Sequence, residues 1–125
     1  MIYLASPYTH DIETVRQLRF WQVTKVTADL HEQGIQAFSP ITFGYGVEQI
    51  GKISLSGPDW WQPFDDWFLR HCDEMYVICL DGWRESVGVN HEIDLAIDLD
   101  IPIKYFRFNL DFTITEMKGS EIDER

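Results

Sequence analysis

The strongest constraint on the fold is an alternation of short apolar runs with longer segments of helical periodicity. Each run has the length and composition of a strand, and Pro7 and Pro40 end the first two. The strand-like runs are residues 2–6, 35–39, 74–80 and 101–106, and the helical segments are 11–33, 60–71 and 86–100. Because parallel strands need crossover connections, this alternation predicts a Rossmann-like or flavodoxin-like α/β fold. We expect an open parallel sheet of four to five strands with helices on both faces.

Two stretches of the chain do not fit this alternation. Residues 41–58 contain glycine, serine and aromatic residues without a clean period, and we predict a long loop there, of a kind that is usually functional. Residues 107–125 are acid-rich and only patchily apolar, so we expect either an edge element or a frayed tail. The predicted order is β-α-β-loop-α-β-α-β, in one domain over residues 1–106.

The charge and cysteine content of the chain limit its partners. Ten Lys and Arg against 21 Asp and Glu give a net charge of −11, which repels the phosphate backbone of polymeric DNA or RNA. No apolar run approaches the roughly 20 residues that span a bilayer. Met1 leads directly into a strand-like run, so we expect a soluble, cytoplasmic protein that does not bind membranes. Cys72 and Cys79 lack the spacing of a disulfide framework or a zinc site, and we expect no metal or other cofactor.

In an open parallel sheet, ligands bind beyond the carboxyl ends of the strands. We therefore expect the site among the segments that follow the predicted strands, which are residues 6–8, the loop from Pro40, residues 81–92 and the residues after Phe106. Neither a phosphate-loop motif nor a complete GxGxxG motif occurs in the chain. A dinucleotide or a nucleoside triphosphate is therefore a less favoured ligand.

Three motifs occur in an order and at a spacing that point to one family. They are IYLASP at residues 2–7, the segment from Asp65 to Asp73 that leads into an apolar strand, and SVGVNHE at residues 86–92 followed by Ala96. Together, over most of the chain through Phe106, they resemble the nucleoside 2-deoxyribosyltransferase superfamily. That superfamily includes the 2′-deoxynucleoside 5′-monophosphate N-hydrolases and small phage and bacterial relatives.

The resemblance implies cleavage of a nucleoside N-glycosidic bond by a carboxylate that attacks C1′. Glu92 matches the family's nucleophile, and a place in the first turns of a helix would favour its ionised form. Asp65 matches the aspartate that assists proton transfer to the departing base, with Asp66 as the competing choice. Tyr3 matches a tyrosine at the end of the first strand that orients the glutamate. Without the family resemblance, Glu92 would be interpreted as a solvated acid on a helix and Asp65 as part of the polar face of a helix. Tyr3 would be interpreted as a tyrosine of the core.

Ser86 is the residue that bears on the choice of substrate. Family members that act on free nucleosides tend to carry an acidic residue there, whereas the monophosphate hydrolases carry serine, so the resemblance implies a 5′-monophosphate. Its hydroxyl and the backbone N–H groups at a helix start, with Gly88 among them, would accept a phosphate. The same serine would also cap the helix. Ser6 on the opposite side, and Arg16 or Arg19 if their helix face turns toward the site, would add further contacts.

Aromatic residues are concentrated in the segments expected to overhang the site. Such rings can stack on a planar base, and for each of them the alternative is a place in the core or at an interface. These residues are Phe43, Tyr45, Trp60, Trp61 and Trp83. We assign Phe43 and Trp83 to substrate binding.

We therefore predict an enzyme that releases or exchanges the base of a nucleoside 5′-monophosphate, or of a nucleoside, through a glycosyl-enzyme on Glu92. Two alternatives stay open: a 2-deoxyribosyltransferase that acts on free nucleosides, and a catalytically silent nucleotide-binding module on the same fold. Superfamily members complete their cleft with a neighbouring subunit, and this chain is rich in aromatic residues. Both points favour a homodimer formed through the second predicted helix, around Trp67 and Phe68, and through the third.

Overall fold

Strands and helices alternate along the chain in the computed structural model, which describes residues 1–55 and 59–123. The strands are β1 (Ile2–Ala5), β2 (Ala37–Phe38), β3 (Glu74–Ile78), β4 (Ile103–Phe108) and β5 (Ile114–Glu116). The helices are α1 (Glu13–Glu32), α2 (Pro40–Gly51), α3 (Trp61–Arg70), α4 (Val87–Asp98) and α5 (Gly119–Asp123). A single 3₁₀ turn covers Trp83–Glu85 among the described residues.

The strands form one open sheet in the order β2-β1-β3-β4-β5. β1 pairs in parallel with β2 and β3, and β3 pairs in parallel with β4, which confirms the predicted open α/β fold. This is also the strand order of flavodoxin-like sheets. β5 differs, because the chain turns back at residues 109–113 and pairs it antiparallel to β4. The tail thus contributes an edge strand, and β4 itself runs past the predicted domain end at residue 106.

Helices cover both faces of the sheet, and the alternation of side chains along β1 assigns each residue to one face. Ile2 and Leu4 pack against α1 on the first face. Tyr3 and Ala5 pack on the second face with residues of α3 and α4. Met75 of β3 lies beside Tyr3 in the register and joins the same layer. The side chain of Tyr3 therefore points into the layer formed by α3 and α4.

Helix α2 occupies most of the segment predicted as a loop, so the prediction of a loop over residues 41–58 is wrong for its first part. Ser39 caps this helix, since its side chain accepts a hydrogen bond from an N–H of the first turn at 3.1 Å. Pro40 stands in the first turn, where no N–H donor is needed. Gly44 packs on the ring of Trp61, which would lie 3.5 Å from a Cβ at this position. The glycine that interrupts the helical period therefore lies at ordinary van der Waals distance from Trp61.

The ends of the predicted elements differ from the observed ends by a few residues. β3 stops at Ile78, before the predicted end at residue 80, and β4 starts at Ile103 instead of residue 101. Residues 56–58 and 124–125, which end the predicted loop and the predicted tail, lie outside the described residues. None of the described helices is both long and apolar enough to cross a membrane.

Candidate functional site

The candidate site lies where β1 and β3 are neighbours, at the point where the chain changes direction across the sheet. From β1 the chain moves outward to β2, and it then returns through α3 to β3 and continues to β4. Open α/β sheets bind their ligands at such a switch point. Tyr3 from β1, Asp65 from α3 and Glu92 from α4 come together in the helical layer beside it.

Glu92 is a buried side chain in the second turn of α4. Ser86 begins this helix as its cap, because its Oγ accepts a hydrogen bond from the N–H of Val89 at 3.2 Å. Glu92 lies on the same buried face as Val89 and Ala96, and only 8% of it is exposed. The helix that follows β3 therefore carries its carboxyl group down into the layer that contains Tyr3.

The pKa of Glu92 departs from the expectation based on the helix dipole. Burial raises this pKa to about 8, and the negative charges of Asp65 and Asp66 act in the same direction. The hydrogen bond from Tyr3 favours the carboxylate and opposes the rise without cancelling it. Desolvation outweighs the helix dipole here because the side chain lies one turn inside the helix and away from water.

Tyr3 donates a hydrogen bond from its hydroxyl to Oε2 of Glu92, across 89 residues of sequence. The tyrosine is completely buried and lies inside β1, paired in register with Met75 of β3. Its predicted place at the end of the first strand is therefore wrong. Burial and the nearby charge of Glu92 raise the pKa of Tyr3 well above its usual value, so the hydroxyl keeps its proton and stays a donor.

Asp65 projects from α3 toward these groups, whereas its neighbour Asp66 has a different partner. Oδ1 of Asp65 is buried and has no hydrogen-bond partner among the described residues. Burial, and then the charge of Asp66, raise the pKa of Asp65 to about 7. Asp66 instead accepts a hydrogen bond from Nε2 of His91 at 3.0 Å. The structure thus singles out Asp65 as the acid with an oxygen free for a ligand.

Tyr3, Asp65 and Glu92 form a site that retains a proton at neutral pH. With pKa values of about 7 and about 8, the two carboxyl groups carry fewer than two negative charges there. Such a pair can supply a proton from one member while the other acts as nucleophile or base. Within residues 1–55 and 59–123, no cluster of three or more His, Cys, Asp or Glu side chains could hold a metal ion.

The residues assigned to phosphate binding lie at the start of α4 and after β1. Gly88 is exposed, and a Cβ there would have only the Oγ of Ser86 near it, at 4.0 Å, so the backbone of the first turn is open to solvent. Ser6 directly follows β1 and is buried, and its hydroxyl has no hydrogen-bond partner in the described part of the chain. The start of α4 thus presents polar backbone groups that a ligand can use, whereas the hydroxyl of Ser6 is buried.

Arg16 and Arg19 reach from α1 to the loops at the carboxyl ends of β1 and β3. Arg16 donates to the carbonyl oxygen of His10. Arg19 donates to the carbonyl oxygens of Thr9 at 2.9 Å and of Asp81 at 2.8 Å, and so ties the two loops together. Gly82 is required beside it, since its φ is +88° and a Cβ would lie 2.7 Å from the guanidinium. The charges of both arginines thus lie near the switch point, but their described hydrogen bonds go to the main chain.

Phe43 belongs to an aromatic cluster that joins α2 to α3. Its ring stacks on Phe64 with 5.3 Å between centroids, and 45% of the residue is exposed. The cluster reaches Tyr3 through Phe38, whose ring centroid is 6.1 Å from that of the tyrosine. Its members are Phe38, Phe43, Trp61, Phe64 and Phe68. Tyr45 packs on α1 instead, where it stacks with Phe20.

Trp83 lies on the side of α4 that faces β4. Its ring centroid is 5.6 Å from that of Tyr105, and the guanidinium of Arg84 lies 4.6 Å above its ring. It lines an open pocket with Arg84 and Arg107, and neither Asp65 nor Glu92 contributes to that pocket. The structure therefore does not bring Trp83 together with the carboxyl groups.

The surface predicted for a homodimer is divided between the core and the solvent. Phe68 stacks on Phe38 at 4.1 Å between centroids and belongs to the core layer. Trp67 is 56% exposed and stacks on His71. On α3 this surface is therefore open to a partner around Trp67, and on α4 Val87 and Ile97 are exposed.

A polar network between α3 and α4 was not predicted from the sequence. Its members are Gln62, Asp66 and His91, and His91 contacts both of the others at 2.9 to 3.1 Å. Gln62 and Asp66 are one helical turn apart, which is the only signal that the sequence offers. Neighbouring helix residues point roughly 100° apart, so the position of His91 beside Glu92 in the sequence does not indicate a shared role. Its partners lie on another helix, where spacing along the chain is uninformative.

Comparison with known protein families gives a match over most of the chain. The model of a family described as a domain of unknown function, DUF1937, matches residues 1–107. This range extends from β1 to the penultimate residue of β4 and includes Tyr3, Asp65 and Glu92. A search of the curated proteins found no match.

Proposed function

The chain belongs to the DUF1937 family, whose description assigns no activity, and from the geometry of its site we propose that it cleaves the N-glycosidic bond of a nucleoside 5′-monophosphate or nucleoside. The nucleophile is Glu92, the acid is Asp65, and Tyr3 holds the nucleophile in place. The product is the free base or, with a second base as acceptor, an exchanged nucleotide. We place this activity in the cytoplasm and assign it no metal or other cofactor.

One observation carries the proposal: a buried glutamate bound by a buried tyrosine, with a second carboxyl group beside it that has an unused oxygen. Buried carboxyl groups are costly, and a protein seldom keeps two of them together without a use for them. The raised pKa of Asp65, about 7, suits a group that must give up and recover a proton near neutral pH. Oδ1 of Asp65 then takes the partner that the protein itself does not supply.

In the first step the carboxylate of Glu92 attacks C1′ of the sugar. The bond between C1′ and the base nitrogen breaks, and its electron pair stays with the base. The base takes the proton of Asp65, and the sugar is held as an ester of Glu92. The reacting form has its charge on Glu92 and its proton on Asp65. The pKa values of about 8 and about 7 place the proton of the free site more often on Glu92, and the hydrogen bond from Tyr3 stabilises the carboxylate of Glu92 in the reacting form.

In the second step a water molecule resolves the ester. Asp65, now a carboxylate, takes a proton from the water, whose oxygen attacks C1′ as the bond to Glu92 breaks. The sugar phosphate leaves, the carboxylate of Glu92 is restored, and Asp65 is again protonated. If a second base replaces water, Asp65 accepts its N–H proton and the outcome is base exchange.

A 5′-phosphate would be bound at the start of α4. Ser86 and the open backbone of Gly88 present a hydroxyl and N–H groups at the positive end of the helix dipole. The hydroxyl of Ser6 lies after β1, on the other side of the switch point, where it is buried without a hydrogen-bond partner among the described residues and would have to become accessible to reach a phosphate. The aromatic cluster that contains Phe43 provides an exposed ring surface for the base.

The decisive experiment incubates the protein with nucleosides and their 5′-monophosphates and measures free base by chromatography. Glu92→Gln keeps the size of the side chain but removes the nucleophile, so base release should be lost. Asp94→Asn removes the same charge from an exposed position two residues further along α4, and it should be as active as the wild type. Base release by Glu92→Gln at the wild-type rate would refute the mechanism.

The same experiment separates the alternatives. Addition of a second base to the reaction should yield a new nucleotide or nucleoside if the enzyme is a transferase, and only free base if water is the acceptor. Binding of nucleotides without release of base from any substrate would identify a silent binding module.

A further inference from the structure

An open pocket of about 300 Å³ lies beyond the carboxyl end of β3, beside the last residues of β4. Residues 79–85, Arg107 and Met117 line it, and neither Ser86 nor Glu92 is among its lining residues. Open α/β sheets bind ligands beyond this end of their strands, and Arg107 lies in one of the segments in which the sequence predicts ligand contacts. The pocket is therefore a second place at which this fold can hold a ligand.

Arg84 brings a guanidinium group with an unused donor to this pocket. The group lies 4.6 Å from the ring centroid of Trp83. Its Nη2 donates to the carbonyl oxygens of Glu121 at 3.3 Å and of Ile122 at 2.9 Å, both in α5. Its Nε is buried and has no hydrogen-bond partner among the described residues. Because a buried donor without an acceptor is costly, this nitrogen points to an acceptor from outside the chain.

Arg107 brings a second guanidinium group, which is paired with an anion from the chain's own tail. Its Nη1 donates to the carboxylate of Glu121 in α5. The two side chains are 50% and 38% exposed, so the pair is readily broken. Helix α5 has five residues, too few to be stable alone, and the contacts with Arg84 and Arg107 attach it to the domain. The carboxylate of Glu121 thus occupies the position of an anionic ligand.

The two guanidinium groups favour a ligand with two negative charges. Glu121 has one charge, and its carboxylate bonds to Arg107. A phosphate dianion has enough oxygens to accept hydrogen bonds from both arginines, and a guanidinium fork matches their geometry. Asp81 and Glu85 also line the pocket, but both are exposed, so water and salt screen their repulsion of an anion.

We propose that this pocket binds a phosphate dianion, free or as the phosphate group of a small monoester, in place of the carboxylate of Glu121. Phosphate takes over Arg107 and supplies an acceptor for Nε of Arg84, and α5 loses its attachment. The family match ends at residue 107, so both arginines belong to the matched region, whereas α5 lies beyond it. The tail is thus an internal competitor for an anion site of the domain, and this site does not depend on base release.

Titration of the full chain with inorganic phosphate at constant ionic strength, followed by ¹H–¹⁵N NMR, tests the proposal. The Nε–H signals of Arg84 and Arg107 should shift with one saturable midpoint. The backbone amide signals of Glu121 and Ile122 should shift with the same midpoint, because α5 is displaced. Glu121→Gln removes the competing charge and keeps the size of the side chain, so phosphate should bind about two- to fivefold more tightly. Arg107→Gln removes a charged donor and should weaken binding by about tenfold or more.

Arg70→Gln is the matched control, since it removes the same charge from an exposed position at the end of α3. It should bind phosphate as the wild type does. Wild-type affinity in Arg107→Gln, or no saturable shift in either the wild type or Glu121→Gln, would overturn the proposal. Arginine signals that move while the amide signals of α5 stay fixed would refute displacement of the tail.

A parallel titration with glycerol 3-phosphate distinguishes the two sources of the phosphate group. Tighter binding than that of inorganic phosphate assigns the pocket to a phosphate monoester, and weaker binding assigns it to the free ion. The measurement is one of binding, so a failure to release base from any substrate would refute the proposed function and leave this result unaffected.

Discussion

Replacement of Glu92 by glutamine tests the burial of this carboxyl group through the stability of the fold. In the folded protein the pKa of Glu92 is raised from 4.5 to about 8 by burial. Between these values the folded protein holds a proton that the unfolded chain has released, so the free energy of unfolding falls as the pH rises. Glutamine cannot ionise, and the Glu92→Gln variant should escape this loss.

The size of the effect follows from the two pKa values. At about 1.4 kcal/mol for each pH unit, a rise from 4.5 to about 8 corresponds to a loss of the order of 5 kcal/mol between pH 4 and pH 9. That is comparable to the whole stability of many domains. The glutamine has the same shape, and its Oε1 can accept the hydrogen bond from Tyr3. The difference in unfolding free energy between variant and wild type should therefore grow by several kcal/mol as the pH rises.

Urea unfolding followed by tryptophan fluorescence, at pH values from 4 to 9, measures this difference directly. Asp94→Asn is the control, because an exposed carboxylate on the same helix carries no comparable cost of burial. The comparison concerns how the unfolding free energy changes with pH. A difference in stability that the amide introduces equally at every pH therefore does not affect it. Parallel stability curves for Glu92→Gln and the wild type would show that the carboxyl group is not held in its neutral form by burial, and the reasoning would fail.

Three further predictions concern substrate, orientation and assembly. Ser86→Asp retains a helix-capping residue but places a negative charge at the phosphate position. The kcat/KM for a 5′-monophosphate, divided by that for its nucleoside, should therefore fall by about tenfold or more. If steady-state kinetics give the same ratio of kcat/KM values as in the wild type, Ser86 does not bind the phosphate. Tyr3→Phe removes the hydrogen bond that favours the carboxylate of Glu92. The kcat should therefore drop by about 10- to 100-fold, and the acidic limb of the pH profile should move to higher pH. A slower enzyme whose acidic limb stays at the wild-type pH would argue against stabilisation of the Glu92 carboxylate by Tyr3. Sedimentation equilibrium at micromolar concentration should find a homodimer that Trp67→Ser weakens, and a wild-type monomer would contradict the predicted interface.

The alternation of strands and helices could be predicted because most elements carry their own period. The apolar run of β3 and the helical spacing of α1 are local properties, and both elements occur where they were expected. Helix α2 was missed because Gly44 and Gly46 lower helix propensity, although Ser39 followed by Pro40 is a typical helix start. The contact of Gly44 with a tryptophan of the next helix is a tertiary contact, which no local pattern expresses.

The members of the site could be identified from motifs, but their environment could not. Glu92 was expected near the surface, in the first turns of its helix, because a helix start is usually solvated. Its burial depends on Tyr3 and on the packing of α4 against the sheet, which are set by residues far away in the chain. The link between Asp66 and His91 joins two helices and likewise has no counterpart in sequence spacing.

The hydrogen bond between Tyr3 and Glu92 joins the first strand to a helix in the last third of the chain, and the two residues are 89 positions apart. Glu92 lies on α4, which follows β3, and β3 pairs with β1, so these three elements must be in place before the two side chains can meet. Activity would therefore report on the packing of α4 against the paired strands β1 and β3, a contact between residues distant in the sequence. A break in the chain between Tyr3 and Asp65 divides the site into two inactive fragments, one with the hydroxyl and one with both carboxyl groups. If base release recovers when such fragments are mixed, the rate of base release measures how much of the protein has reassembled.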